Sequence, residues 1–117
     1  MAKITLKLNY LNPQPVLVAA GTPQSVDSSA TRTLYAHIQA PTANAGNVYI
    51  ADSAANILAG NCTILGPGES LDIGTDDTAA DEDAVKLDLS DLFFDGANTG
   101  DKLVVAYLEF RSIDYNG

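Results

Sequence analysis

Apolar and polar residues alternate along most of this chain with a period of two, the spacing of strands rather than helices. Ile4, Leu6, Leu8 and Tyr10 alternate with Lys3, Thr5, Lys7 and Asn9. That predicts a strand with one wet face. Two lysines on that face suit an edge strand that must not pair indiscriminately. Asn12-Pro13-Gln14-Pro15 ends it, because proline has no N–H for a ladder. Val16–Ala20 is a short apolar run closed by Gly21-Thr22-Pro23, and residues 24–31 are small and polar, which reads as a loop.

Further strands are predicted over Thr33–Ala40, with Leu34, Ala36 and Ile38 on one face and Tyr35, His37 and Gln39 on the other, and over Asn47–Ala51. Residues 52–61 fit either a hairpin turn with a short strand or one helical turn. Cys62–Leu65 continues as strand. Gly66-Pro67-Gly68 makes a sharp turn before a strand at Glu69–Ile73, and Val85, Leu87 and Leu89 alternate with Lys86, Asp88 and Ser90. Ser90-Asp91-Leu92 starts a tight turn before Phe93-Phe94. Asp95-Gly96, Asn98 and Gly100 read as a hairpin connection into Leu103–Phe110, whose continuous apolar character predicts a central strand buried on both faces. From Ile113 the tail is expected to be partly ordered at most.

Seven to nine short strands with turns between them predict an all-β fold, a single β-sandwich of jelly-roll or immunoglobulin-like type. A chain of 117 residues fits one domain, 1–117, with 1–15 as an N-terminal arm or edge strand. Val, Leu and their kin bring the apolar fraction to 46%, enough for a core and against disorder. No apolar run is long enough for a membrane helix, and the first residues lack the apolar stretch of a secretory signal.

Charge sharpens the picture. Fifteen acids against six bases give a net charge of −9. Five of the acids lie in the segment 76–83, and without it ten acids face six bases. This balance speaks against nucleic acid and anionic membrane as partners, since both are bound through Lys and Arg. It favours solubility at high copy number.

Candidate chemistry is sparse. His37 is the single histidine and would need a nucleophile and an orienting acid to act as a base. Cys62 is the single cysteine, so the chain has no internal disulfide, and a small buried thiol is expected there. Asn61-Cys62-Thr63 matches a glycosylation sequon by chance. Fifteen carboxylates always allow a pair at glycosidase spacing, but no tryptophan offers a sugar platform. Residues 72–83 could supply oxygens to calcium, yet the spacing is not that of an EF-hand. Gly66-Pro67-Gly68 precedes a strand, so it makes no phosphate cradle. The expectation is a protein that is not an enzyme, with no catalytic residue, metal or cofactor. The candidate interface residues are Ile4, Leu6, Leu8, Tyr10 and Leu11, on the first predicted strand and just after it.

One pattern reaches beyond composition. Asn44-Ala45-Gly46-Asn47-Val48-Tyr49-Ile50 is followed by Leu65-Gly66-Pro67-Gly68-Glu69-Ser70 and then by Gly100-Asp101-Lys102-Leu103-Val104-Val105-Ala106-Tyr107. This order resembles small virion proteins of tailed bacteriophages over about residues 33–110, while the segment after Ile50 departs from it. The resemblance implies a capsid decoration (cement) protein, made in the host cytoplasm and carried on the capsid surface. Its partners would be the major capsid protein and further copies of itself, as a dimer or trimer. A tail, neck or fibre-base component and a carbohydrate- or calcium-binding module are the alternatives.

Overall fold

The computed structural model describes residues 3–74 and 87–114, and side chains over 7–74 and 87–108. The acidic segment 76–83, the alternation at Val85 and Lys86 and the last three residues fall outside the described residues.

Ten strands are present among the described residues: β1 (Lys3–Tyr10), β2 (Gln24–Ser25), β3 (Arg32–Thr33), β4 (Tyr35–Gln39), β5 (Val48–Ala51), β6 (Thr63–Leu65), β7 (Ser70–Gly74), β8 (Leu87–Asp88), β9 (Phe93–Gly96) and β10 (Val104–Asp114). Three of them are only two residues long, which is why a period-two reading arrives at fewer. Two four-stranded antiparallel sheets, ordered β1-β10-β4-β7 and β2-β9-β5-β6, are joined by the small β3-β8 pair. The fold is an all-β sandwich.

The two sheets close on a shared core. Ala36, Ile38 and Val105 come from the first sheet, and Val48, Ile50, Leu65 and Phe94 from the second. Leu17, Val26, Leu89, Leu92 and Leu103, from outside the two sheets, belong to the same core. Phe94 is the largest fully buried side chain. Burial of each such residue contributes about 1.5–3 kcal/mol relative to exposure.

Several sequence expectations change here. Residues 24–31 are not all loop: Gln24 and Ser25 pair with Phe94 and Phe93, and Val26 is buried. A polar two-residue strand leaves no periodic trace. Segment 52–61 forms one helical turn, α1 (Ala54–Leu58). Ser53 caps it by accepting from the Asn56 N–H at 3.1 Å, and Ile57 anchors it in the interior. The alternation through Ser90 breaks after Asp88, where Leu89–Asp91 form a 3-10 turn capped by the Asp88 carboxylate. Cys62 is half-buried rather than enclosed.

The expected hairpin at Asp95–Gly100 is not one. β9 and β10 lie in different sheets, so the segment between them crosses the edge of the sandwich. Buried carboxylates hold this crossing in place of hairpin bonds. Asp101 accepts the N–H groups of Ala45 and Gly46 at 2.9 and 3.0 Å, and Asp95 accepts that of Gly21 at 2.9 Å. The Asn44 side chain bonds both the N–H and the C=O of Lys102. The Asn44–Gly46 and Asp101–Lys102 runs, far apart in sequence, are thus direct partners.

Candidate functional site

β1 lies at an edge of the first sheet, as its lysines predict, and pairs with β10 of its own chain from Lys3↔Asp114 to Tyr10↔Ala106. β10 pairs with β4 only from Val104 to Tyr107. Beyond that point β1 is the only strand paired with β10 among the described residues, although Thr33 of β3 touches it at Leu108. The two continue as a ribbon for about 20 Å, at some 3.3 Å per residue. The molecule measures 50 × 26 × 22 Å. In the register Lys7 stands opposite position 109 and Lys3 opposite position 114, with a register shift between Thr5 and Leu6.

The register also settles which face each residue occupies, because directly paired residues share a face. Ala36 and Ile38 point into the core, so their partners Tyr107 and Val105 on β10, and Ile73 and Leu71 on β7, share the inner face. The outer face therefore carries His37, Asp72, Ala106 and Leu108, and across β10 it carries Tyr10 and Leu8. Leu8 and Tyr10 of β1 are turned away from the core. Leu8 is 52% exposed and Tyr10 58%. Period two places alternate residues on opposite faces but does not say which face meets the other sheet.

Of the five expected interface residues, Leu8 and Tyr10 lie on this outer face. Leu11 does not: its N–H bonds the Val105 carbonyl at 3.0 Å and its side chain packs against the core. One residue past the strand, the alternation has moved it to the inner side. Ile4 and Leu6 stand in the ribbon opposite Ile113 and Phe110.

Beside the apolar row lies a polar trio. His37 Nδ1 meets Asp72 Oδ1 at 2.5 Å, and the Tyr35 hydroxyl donates to the same oxygen at 2.8 Å. Bonds from His37 first and Tyr35 second hold the Asp72 carboxyl below its usual range, while the bond to Asp72 raises the Tyr35 hydroxyl. An orienting acid for His37 therefore exists, although β5, α1 and β6 separate the two in sequence. Among the described residues no hydroxyl or thiol bonds to His37. Its side chain is 38% exposed and that of Asp72 61%. An exposed dyad without a nucleophile orients a histidine but does not assemble acyl-transfer chemistry. Tyr35 and His37 were legible as one polar face; Asp72 needed the β4–β7 register.

An open cleft lies between residues 11–16 and 24–29. Several of its polar groups are committed internally: Gln14 accepts from Val105 N–H, Gln24 bonds the backbone of Val16 and Val18, and the Ser25 hydroxyl donates to either the Asp27 or the Ser90 carbonyl. Among the described residues no group of three or more His, Cys, Asp or Glu is placed to hold a metal ion, and no helix is long and apolar enough to cross a membrane.

No family model, curated protein or solved structure matches this chain. The site is therefore read from its own geometry. Its distinctive features are an outward apolar row, an open strand edge and a ribbon reaching beyond the sandwich.

Proposed function

We propose that this protein is a structural component of a tailed-bacteriophage virion, a decoration protein that binds the outer surface of the head and stabilises the shell. The observation that carries the reading is the outward-facing Leu8–Tyr10 row on a strand that runs into a projecting ribbon. Apolar side chains displayed on a sheet face mark contact with another protein. The pattern around Asn44–Ile50, Leu65–Ser70 and Gly100–Tyr107, which resembles that of small phage virion proteins, supplies the class of assembly. The net charge of −9 suits a protein needed in many soluble copies. Stabilisation would follow from mass action, because a protein that binds only the assembled shell favours assembly. The major capsid protein is then the partner.

Co-sedimentation with expanded heads tests this, together with the melting temperature of the shell. Binding near the copy number of the major capsid protein, with a higher shell melting temperature, is the expected result. Recovery at a few copies per particle would reassign the protein to tail, neck or fibre base. No association with any virion part would overturn the reading.

A further inference from the structure

We propose that β1 pairs with β1 of a second copy of this chain, antiparallel about a two-fold axis, so that two four-stranded sheets continue as one sheet of eight strands. The inference rests on reading the outer face as an assembly surface and names what occupies it.

The backbone parity makes the edge available. Leu11 donates to Val105, so the odd-numbered residues of β1 address β10. Leu8 and Tyr10 direct their N–H and C=O groups the other way, and among the described residues no strand pairs with that side. An open edge of eight residues is a template for strand addition.

The sequence of β1 is complementary to itself. Its apolar residues, Ile4, Leu6, Leu8 and Tyr10, all have even numbers. Two identical antiparallel strands about a two-fold axis pair residues whose numbers have a constant sum. With Leu6 opposite Leu6, or Leu8 opposite Leu8, apolar positions meet apolar positions throughout the paired stretch, and the apolar rows of the two copies join on one face. The intermediate register would put Lys7 directly against Lys7, and like charges in a directly opposed pair are destabilising. In the two favoured registers Lys7 faces Thr5 or Asn9 instead. The lysines thus select among registers without closing the edge.

Charge also chooses the edge. Each copy carries −9, yet β1 holds two lysines and no acid. The opposite edge of the sheet, β7, carries Asp72 and follows Glu69, so two copies meeting there would meet acid to acid. A two-fold seam uses one β1 from each copy and therefore closes at the dimer.

Sedimentation equilibrium of the isolated protein, with no heads present, tests the proposal. A dimer is expected at micromolar concentration. The double substitution Leu8→Glu with Tyr10→Glu should weaken it at least about tenfold, by replacing apolar cross-strand pairs with crowded like charges along the seam. The thermal midpoint should stay within a few degrees, since both side chains point away from the core. In a Cys62→Ser background, Leu6→Cys or Leu8→Cys should oxidise to a cross-linked dimer and Thr5→Cys should not, since the register that sets position 5 against itself sets Lys3 against Lys7. A protein that is monomeric at every concentration overturns the proposal. So does a dimer that the double substitution leaves intact, or one that cross-links as readily through position 5. A protein that dimerises in this way but ignores heads removes the shell reading and leaves this one standing.

Discussion

The hydroxyl of Thr33 occupies the place of a missing rung beside Leu108. It accepts the Leu108 N–H at 3.2 Å and lies 2.7 Å from the Leu108 carbonyl. It also accepts the Tyr35 N–H at 3.2 Å and lies 2.9 Å from the Tyr35 carbonyl, so its single proton serves one carbonyl at a time. The last β4–β10 pair is Ala36↔Tyr107, and Tyr35 and Leu108 would be the next. Thr33 is fully buried between them. Here the sheet lets go of β10, and the ribbon with β1 begins.

Replacing Thr33 by Val should therefore strand backbone groups on two strands at once. The expected loss is about 1–3 kcal/mol in chemical denaturation. Thr33→Ser, which keeps the hydroxyl, should lose less. Hydrogen exchange at the Leu108 amide should speed up in the Val variant more than at Val105. Equal stability of the Val and Ser variants would show that the hydroxyl does not hold this junction.

Asp72 should titrate below the ordinary carboxylate range, because bonds from His37 and Tyr35 favour its charged form. A depressed folded-state pKa gives stability that is present above the unfolded value and lost as pH falls through the folded one. The carboxyl resonance of Asp72, followed by NMR, should move up towards the ordinary value in His37→Ala. A smaller upward move is expected in Tyr35→Phe, since His37 makes the larger contribution. An unchanged titration in His37→Ala would contradict the short contact.

Asp101→Ala should destabilise by about 1.5–3 kcal/mol, because a buried carboxylate then no longer accepts from Ala45 and Gly46. Thermal or denaturant unfolding reads the loss. Asp101→Asn keeps one acceptor oxygen and should fall between the two. A loss below a few tenths of a kcal/mol would mean that water replaces the carboxylate there.

Phe94→Ala should cost about 3–5 kcal/mol, since it empties the centre of the core. Leu8→Ala, on a strand with a better apolar pattern, should cost well under 1 kcal/mol in the monomer. A comparable loss at both positions would mean that the outer face is packed within the chain.

The contrast between these two residues shows what the sequence could and could not convey. Alternation at Ile4–Tyr10 and Leu34–Ile38 located the long strands and the edge lysines, and with them the sandwich. It could not orient β1, because an apolar row reads the same whether a sheet or a partner covers it. The pairing of His37 with Asp72 and the crossing at residues 97–103 were also invisible, since both depend on register between segments far apart. Gln24–Ser25 and Arg32–Thr33 were too short to carry any period.

The register of β1 with β10 also fixes an order of events during synthesis. β1 leaves the ribosome well before its neighbour in the sheet, β10, is made. Until then an eight-residue strand has two open edges and an apolar row with nothing beside it. Pairing over so long a sequence separation is slow, and strands that wait are prone to stick to one another. Lys3 and Lys7 then protect the nascent chain first, and only afterwards the finished sheet.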